Sequence, residues 1–136
     1  MRDLRLEDVE NAAVGTTFGN VRHTFSMICD KDINIFLTIN DLVDPSNFTN
    51  IATLTGESTA KGIGYQVVSG TTDNVYSFSS PGSTPGFGNR SQYYVNRSTS
   101  DNQSMSHDLR FQYIKTDDEV SEGKAHSIIG ITYSYQ

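Results

Sequence analysis

The chain closes on a stretch with the period of a strand. In the segment from Ser127 to Gln136, Ile129, Ile131, Tyr133 and Tyr135 alternate with Gly130, Thr132 and Ser134. One apolar face and one small or polar face, repeating every two residues, define a half-buried strand. The alternation runs to the last residue. Terminal residues fray unless something holds them, so the pattern predicts a strand that is clamped, and the clamp it predicts is another protein.

The same period recurs along the sequence. Leu4 and Leu6 alternate with Asp3, Arg5 and Glu7, which predicts a short edge strand at the start. Val21, His23, Phe25, Met27 and Cys29 fall on one face of a second segment, and Ile33, Ile35, Leu37 and Ile39 form the clearest alternation. Ile63, Tyr65 and Val67 follow Gly62, and Leu109, Phe111 and Tyr113 alternate with Arg110 and Gln112. Turn-forming residues separate these runs at Asp44–Asn47, Ser69–Asn74 and Asp117–Glu119. No segment sustains a helical period, and Glu57–Lys61 offers one turn at most. Ser79–Asn89, rich in Gly, Pro and Ser, is a flexible loop by composition.

Short alternating strands predict an all-β sandwich. With 136 residues, a single domain spanning 1–136 is expected. Hydrophobic residues make up 35% of the chain, too few for a sheet covered on both faces, but seven Tyr and seven Phe fill space efficiently in a two-layer core.

The net charge of −6 and the scatter of ten Lys and Arg provide no basic stripe, so nucleic acid is not an expected partner. No apolar run is long enough to cross a bilayer. Asp30, Asp32 and Asn34 have the opening spacing of a calcium loop, but Ile35 and Asp41 stand where that loop needs Gly and Glu. His23, His107 and His126 share no ligand spacing with one another or with Cys29, and His23 reads as a core histidine. Asp117, Asp118, Glu119 and Glu122 read as a solvated hairpin tip. Gly62-Ile-Gly64 and Gly86-Phe-Gly88 lack the third glycine and helix of a dinucleotide site. Neither a catalytic constellation nor a cofactor or metal site is expected. Asn47, Asn89, Asn96 and Asn102 match the N-glycosylation pattern at about the frequency chance allows in so Asn- and Ser-rich a chain.

With these strands in view, the chain resembles the pilin domain of chaperone–usher fimbrial tip adhesins, such as the type 1 fimbrial adhesin. The resemblance is carried by Leu109 to Thr116, by Val120 and Gly123, and by His126 to Gln136. Ala60 to Gln66 resembles the family's Gly-hydrophobic-Gly strand, and Phe25 to Cys29 the strand that holds its second cysteine. The resemblance implies an incomplete immunoglobulin-like sandwich lacking its last strand, completed by a donor strand that a partner inserts. It implies a groove lined by Leu4, Leu6, Leu109, Phe111, Tyr113, Ile129, Ile131 and Tyr133, and a chaperone-docking C-terminus at Tyr135 and Gln136. The implied partners are a periplasmic pilus chaperone, the outer-membrane usher and the next pilus subunit. The implied location is the fimbrium tip outside the cell, reached through the periplasm.

Two departures stand out. The family's first cysteine, expected near the start of the first strand, is absent, so Cys29 is left without a partner. There is also neither a lectin domain nor a donor segment of alternating hydrophobics, and lacking a donor segment fits the adhesin position. The alternative reading is a free-standing carbohydrate-binding sandwich, with Tyr93, Tyr94 and the Asn-rich loops as a sugar platform.

Overall fold

The structure, a computed structural model, describes residues 4–78 and 92–136. The predicted loop at Ser79–Asn89 and the Asn89 sequon lie outside the described residues. Six strands follow one short helix, α1 at Leu6–Glu10: β1 at Thr17–Cys29, β2 at Asn34–Asp41, β3 at Ile63–Ser69, β4 at Tyr93–Arg97, β5 at Gln103–Lys115 and β6 at Ile129–Tyr135. They form two antiparallel three-stranded sheets, ordered β1-β5-β3 and β4-β2-β6.

The helix corrects the first expectation. A strand was predicted through Leu4 and Leu6, but the alternation stops at Glu7, and continuing it would set Asp8 on the apolar face. A helical turn instead brings Leu6 and Val9, three apart, to one side, and Val9 is buried. Glu7 and Asp8 occupy the first turn, where the helix end favours negative charge. At the other end, the buried Lys115 donates from Nζ to the Glu10 carbonyl at 3.3 Å and the Ala12 carbonyl at 2.8 Å. That contact satisfies carbonyls the helix leaves unpaired.

The two sheets meet face to face. Leu37 and Ile39 of β2, Val67 of β3 and Leu109 of β5 have no exposed surface and share one core with Tyr65 and Tyr113, whose rings lie 4.7 Å apart. In β1, Phe18 pairs with Tyr113 and Val21 with Phe111, with a register shift between them. The extra residue is a β-bulge at Gly19, held at φ +61°, and it keeps both Phe18 and Val21 on the core-facing side of their sheet. A Cβ at Gly19 would also come within 3.3 Å of the Tyr113 ring.

One end of the sandwich is tied by Asp41, the fully buried last residue of β2. Its carboxylate accepts from the backbone N–H of Val43, Asp44 and Thr53 and from the Asn47 side-chain amide, at 2.8 to 3.1 Å. Burial acts to raise its pKa, but these hydrogen bonds together hold it below the usual aspartate value. Because Asn47 donates to both Asp41 and the Ile51 carbonyl, that sequon side chain is committed within the fold. Asp30 and Asp32 serve a turn: the Asp30 carboxylate accepts from the Asn102 N–H at 3.3 Å, and Asp32 pairs with Arg97 at 3.4 Å.

Candidate functional site: an open edge between two sheets

Sheet edges expose unpaired N–H and C=O groups, so each edge can be asked what covers it. The outer edge of β3 is covered. The Ala52 N–H donates to the Tyr65 carbonyl at 2.8 Å and the Tyr76 N–H to the Val67 carbonyl at 2.9 Å, with bridges at Ala52/Tyr65 and Val68/Val75.

On the opposite side, β1 is the edge of one sheet and β6 the edge of the other, and each is paired along one side among the described residues. These two edges lie together. Phe25 of β1 and Tyr133 of β6 have ring centroids 5.5 Å apart, and the Tyr133 hydroxyl is 2.8 Å from Nδ1 of His107 on β5.

The pairing of β6 with β2 fixes which backbone groups are spent. Asn34 and Gln136 exchange both of their backbone hydrogen bonds, at 2.7 and 2.9 Å, and the Leu42 N–H donates to the Ile128 carbonyl at 2.9 Å. In an antiparallel ladder, such pairs recur every second residue. With the observed register, the amides of Gly130, Thr132 and Ser134 turn toward β2. Those of Ile129, Ile131, Tyr133 and Tyr135 turn toward the open edge. The last residue is therefore held as the sequence predicted, but along one side by β2.

Beneath this edge, the core-facing side of β1 is partly bare. Val21 is 36% exposed, His23 is exposed, and Phe25 and Met27 are half-buried, although Cys29 at the strand's end is buried. This corrects the reading of His23 as a core histidine. It points to the core side as expected, but a strand from the facing sheet that would cover it is missing among the described residues. A strand added to β6 at the usual 4.8 Å spacing would lie over this bare face.

The expected groove residues divide into three groups. Ile129, Ile131 and Tyr133 are half-buried on the edge strand β6, and Phe111 is half-buried on β5, paired with Val21 of the bare face of β1. Leu109 is fully buried and forms core beneath it. Leu4, Leu6 and Tyr113 instead line a cavity of about 400 Å³ between α1 and residues 120–126, with Val9 and Ile63 also on its wall. Tyr135 and Gln136 are exposed at the end of β6. Sequence reasoning omitted Val21, His23, Phe25 and His107 from the site. The alternation along Val21–Cys29 was the available signal, but alternation names a face without showing what fails to cover it.

The electrostatics of the edge are mild. Burial keeps the His107 imidazole below its usual pKa, against a smaller opposing pull from Asp108. Burial likewise raises the Tyr133 hydroxyl above the ordinary tyrosine value. Both are thus neutral hydrogen-bonding groups near pH 7.

This architecture can be compared with known proteins. The chain aligns with the P pilus rod subunit PapA over 99% of its own length and 89% of that chain, with a TM-score of 0.66 and 11% identity. The fold is a pilin fold. The chain also aligns with the CupB6 tip adhesin of Pseudomonas aeruginosa, with a TM-score of 0.65 and 17% identity, over 92% of this chain and 32% of that one. In sequence it is similar to the F17a-G, F17b-G and F17c-G fimbrial adhesins of Escherichia coli, at 29% identity over 127 residues, 93% of this chain. It spans about a third (34%) of the length of those relatives. No protein-family model matches the chain. The sequence's resemblance to the pilin domain of a fimbrial adhesin is borne out, as is the all-β sandwich.

Proposed function

We propose that residues 1–136 act as one pilin domain of a fimbrial adhesin, incomplete by one strand, which a partner supplies by pairing with the open edge of β6. The observation that carries this reading is the coincidence of two deficits at one place among the described residues: outward amides along β6 with no strand beside them, and bare core-facing side chains on β1 below them. Inserting four or five apolar side chains at roughly 1.5–3 kcal/mol each would contribute a gross gain on the order of 10 kcal/mol. That is comparable to the net stability of a whole small domain.

The similarity to fimbrial adhesins supports a fimbrial subunit exposed at the cell surface, at the fimbrium tip in this reading. A periplasmic chaperone would first occupy the edge, with Tyr135 and Gln136 at its docking end. The usher would then bring the next subunit, whose extension replaces the chaperone strand. The domain's work is binding and assembly, with no reaction catalysed.

The sugar-platform alternative is weakened by Tyr93. Its ring turns inward onto Tyr76 at 4.7 Å, leaving Tyr94 alone on the outer face, edge-on to Phe36. The experiment is thermal unfolding of the chain with and without a synthetic peptide of alternating apolar residues. A rise in Tm on the order of 10 °C or more is expected. An unchanged Tm at saturating peptide would overturn the proposal.

A further inference from the structure

The open edge is not chemically uniform along its length. Toward Ile129 and Ile131, the half-buried side chains that pack on the core are apolar, Phe111 and the isoleucines themselves. Beside Tyr133 an inserted strand would meet the imidazole of His107 and the face of Phe25. The His107 ring is half-buried, with Nδ1 engaged by the Tyr133 hydroxyl. Among the described residues, Nε2 has no hydrogen-bond partner, and an open groove would leave it to water. A strand laid over the ring removes that water, and a buried nitrogen left unpaired costs far more than a typical hydrogen bond gains.

We propose that the strand that fills this groove carries a hydroxyl or amide side chain at its inward position beside Tyr133, and aliphatic side chains at its other inward positions. The inference rests on the donor-strand reading above and adds the partner's chemistry to it. A hydroxyl or amide can donate or accept, so it satisfies Nε2 in either tautomer of the ring. An aliphatic residue of the same shape can do neither. His23, on β1 with its ring 4.8 Å from Phe25, is a second imidazole next to that ring, but it is exposed and so keeps its contact with solvent more readily. His107 is thus a specificity-determining residue, selecting both the identity and the register of the inserted strand.

The test is competitive refolding of the chain from denaturant with pairs of synthetic peptides. Each has Val at alternate positions, and a single Val→Thr exchange is walked along the series. Thr is nearly isosteric with Val, so the comparison isolates the hydroxyl. The expected result is one register at which Thr is preferred about tenfold, with Val preferred at all others. In His107→Leu that preference should vanish while the other positions keep theirs, and in Tyr133→Phe it should persist. His107→Phe serves the same purpose should the leucine variant not refold. Val preferred at every register, or a Thr preference surviving the loss of the imidazole, would overturn the inference and leave strand insertion standing. Capture of no peptide would remove both.

Discussion

The outer edges of β3 and β6 start from the same problem and meet opposite ends. Both strands border a three-stranded sheet. Along β3, the loops around Ala52 and Tyr76 take up edge carbonyls, and the side chains of Ile63–Ser69 are buried on both faces apart from the half-buried Ile63. Along β6, nothing described pairs with the outer amides, and the strand stays half-exposed. One edge is covered by its own chain, and the other is uncovered among the described residues. An edge with an apolar face beside it is costly to leave open, and it is on that side that the proposed partner strand would act.

The comparison can be broken first in the closed core between the sheets, which needs no partner strand. Ile39→Ala, in a fully buried position, should cost about 2–5 kcal/mol. Denaturant titration should show that loss equally with and without a donor peptide, because the site is complete already. Asp41→Asn should cost about 2–3 kcal/mol through weakened charge-assisted bonds at the knot. The native pKa of Asp41 lies below its ordinary 3.8, so its contribution is present above that value and lost as pH falls through the depressed one. The wild type should lose stability on acidification below about pH 4, and the Asn variant should lose less over the same range.

Along the uncovered edge the outcome should depend on the partner. Ile131→Ala, half-buried, should cost about 1 kcal/mol in the free chain and at least twice that with a donor peptide bound. Equal costs would mean that the groove is not where the strand binds. The smallest effect belongs to Tyr94→Ala, on the outer face and 60% exposed, expected to shift stability by less than about 0.5 kcal/mol. Binding of the wild type to a glycan array, abolished by this change, would favour the sugar-binding alternative.

How much of this was readable in the sequence follows from what alternation encodes. Ile35, Leu37 and Ile39 were legible because a central strand with one buried face repeats strictly, and all three are fully buried. The terminal strand was legible although it is a half-exposed edge, because its core-facing side chains alternate just as regularly. The strand at Tyr93–Arg97 was missed because five residues with two adjacent tyrosines give too short a run to establish a period. The helix at Leu6–Glu10 was missed because two alternating leucines imitate a strand until Val9 is counted with Leu6. As for the site, the residues of β6 could be named from the pattern. The bare face of β1 could not, since exposure there results from a missing neighbour and leaves no trace in the strand's own residues.

The central claim is that β6 offers a row of amides to a strand that a partner supplies. Residue-resolved amide hydrogen exchange measures that row directly. In the free chain, Gly130, Thr132 and Ser134 should be protected by β2, while Ile129, Ile131, Tyr133 and Tyr135 should exchange freely. With an alternating-apolar peptide bound, the second set should become as slow as the first. Protection of both sets in the free chain, or no change in the second set at saturating peptide, would contradict the account.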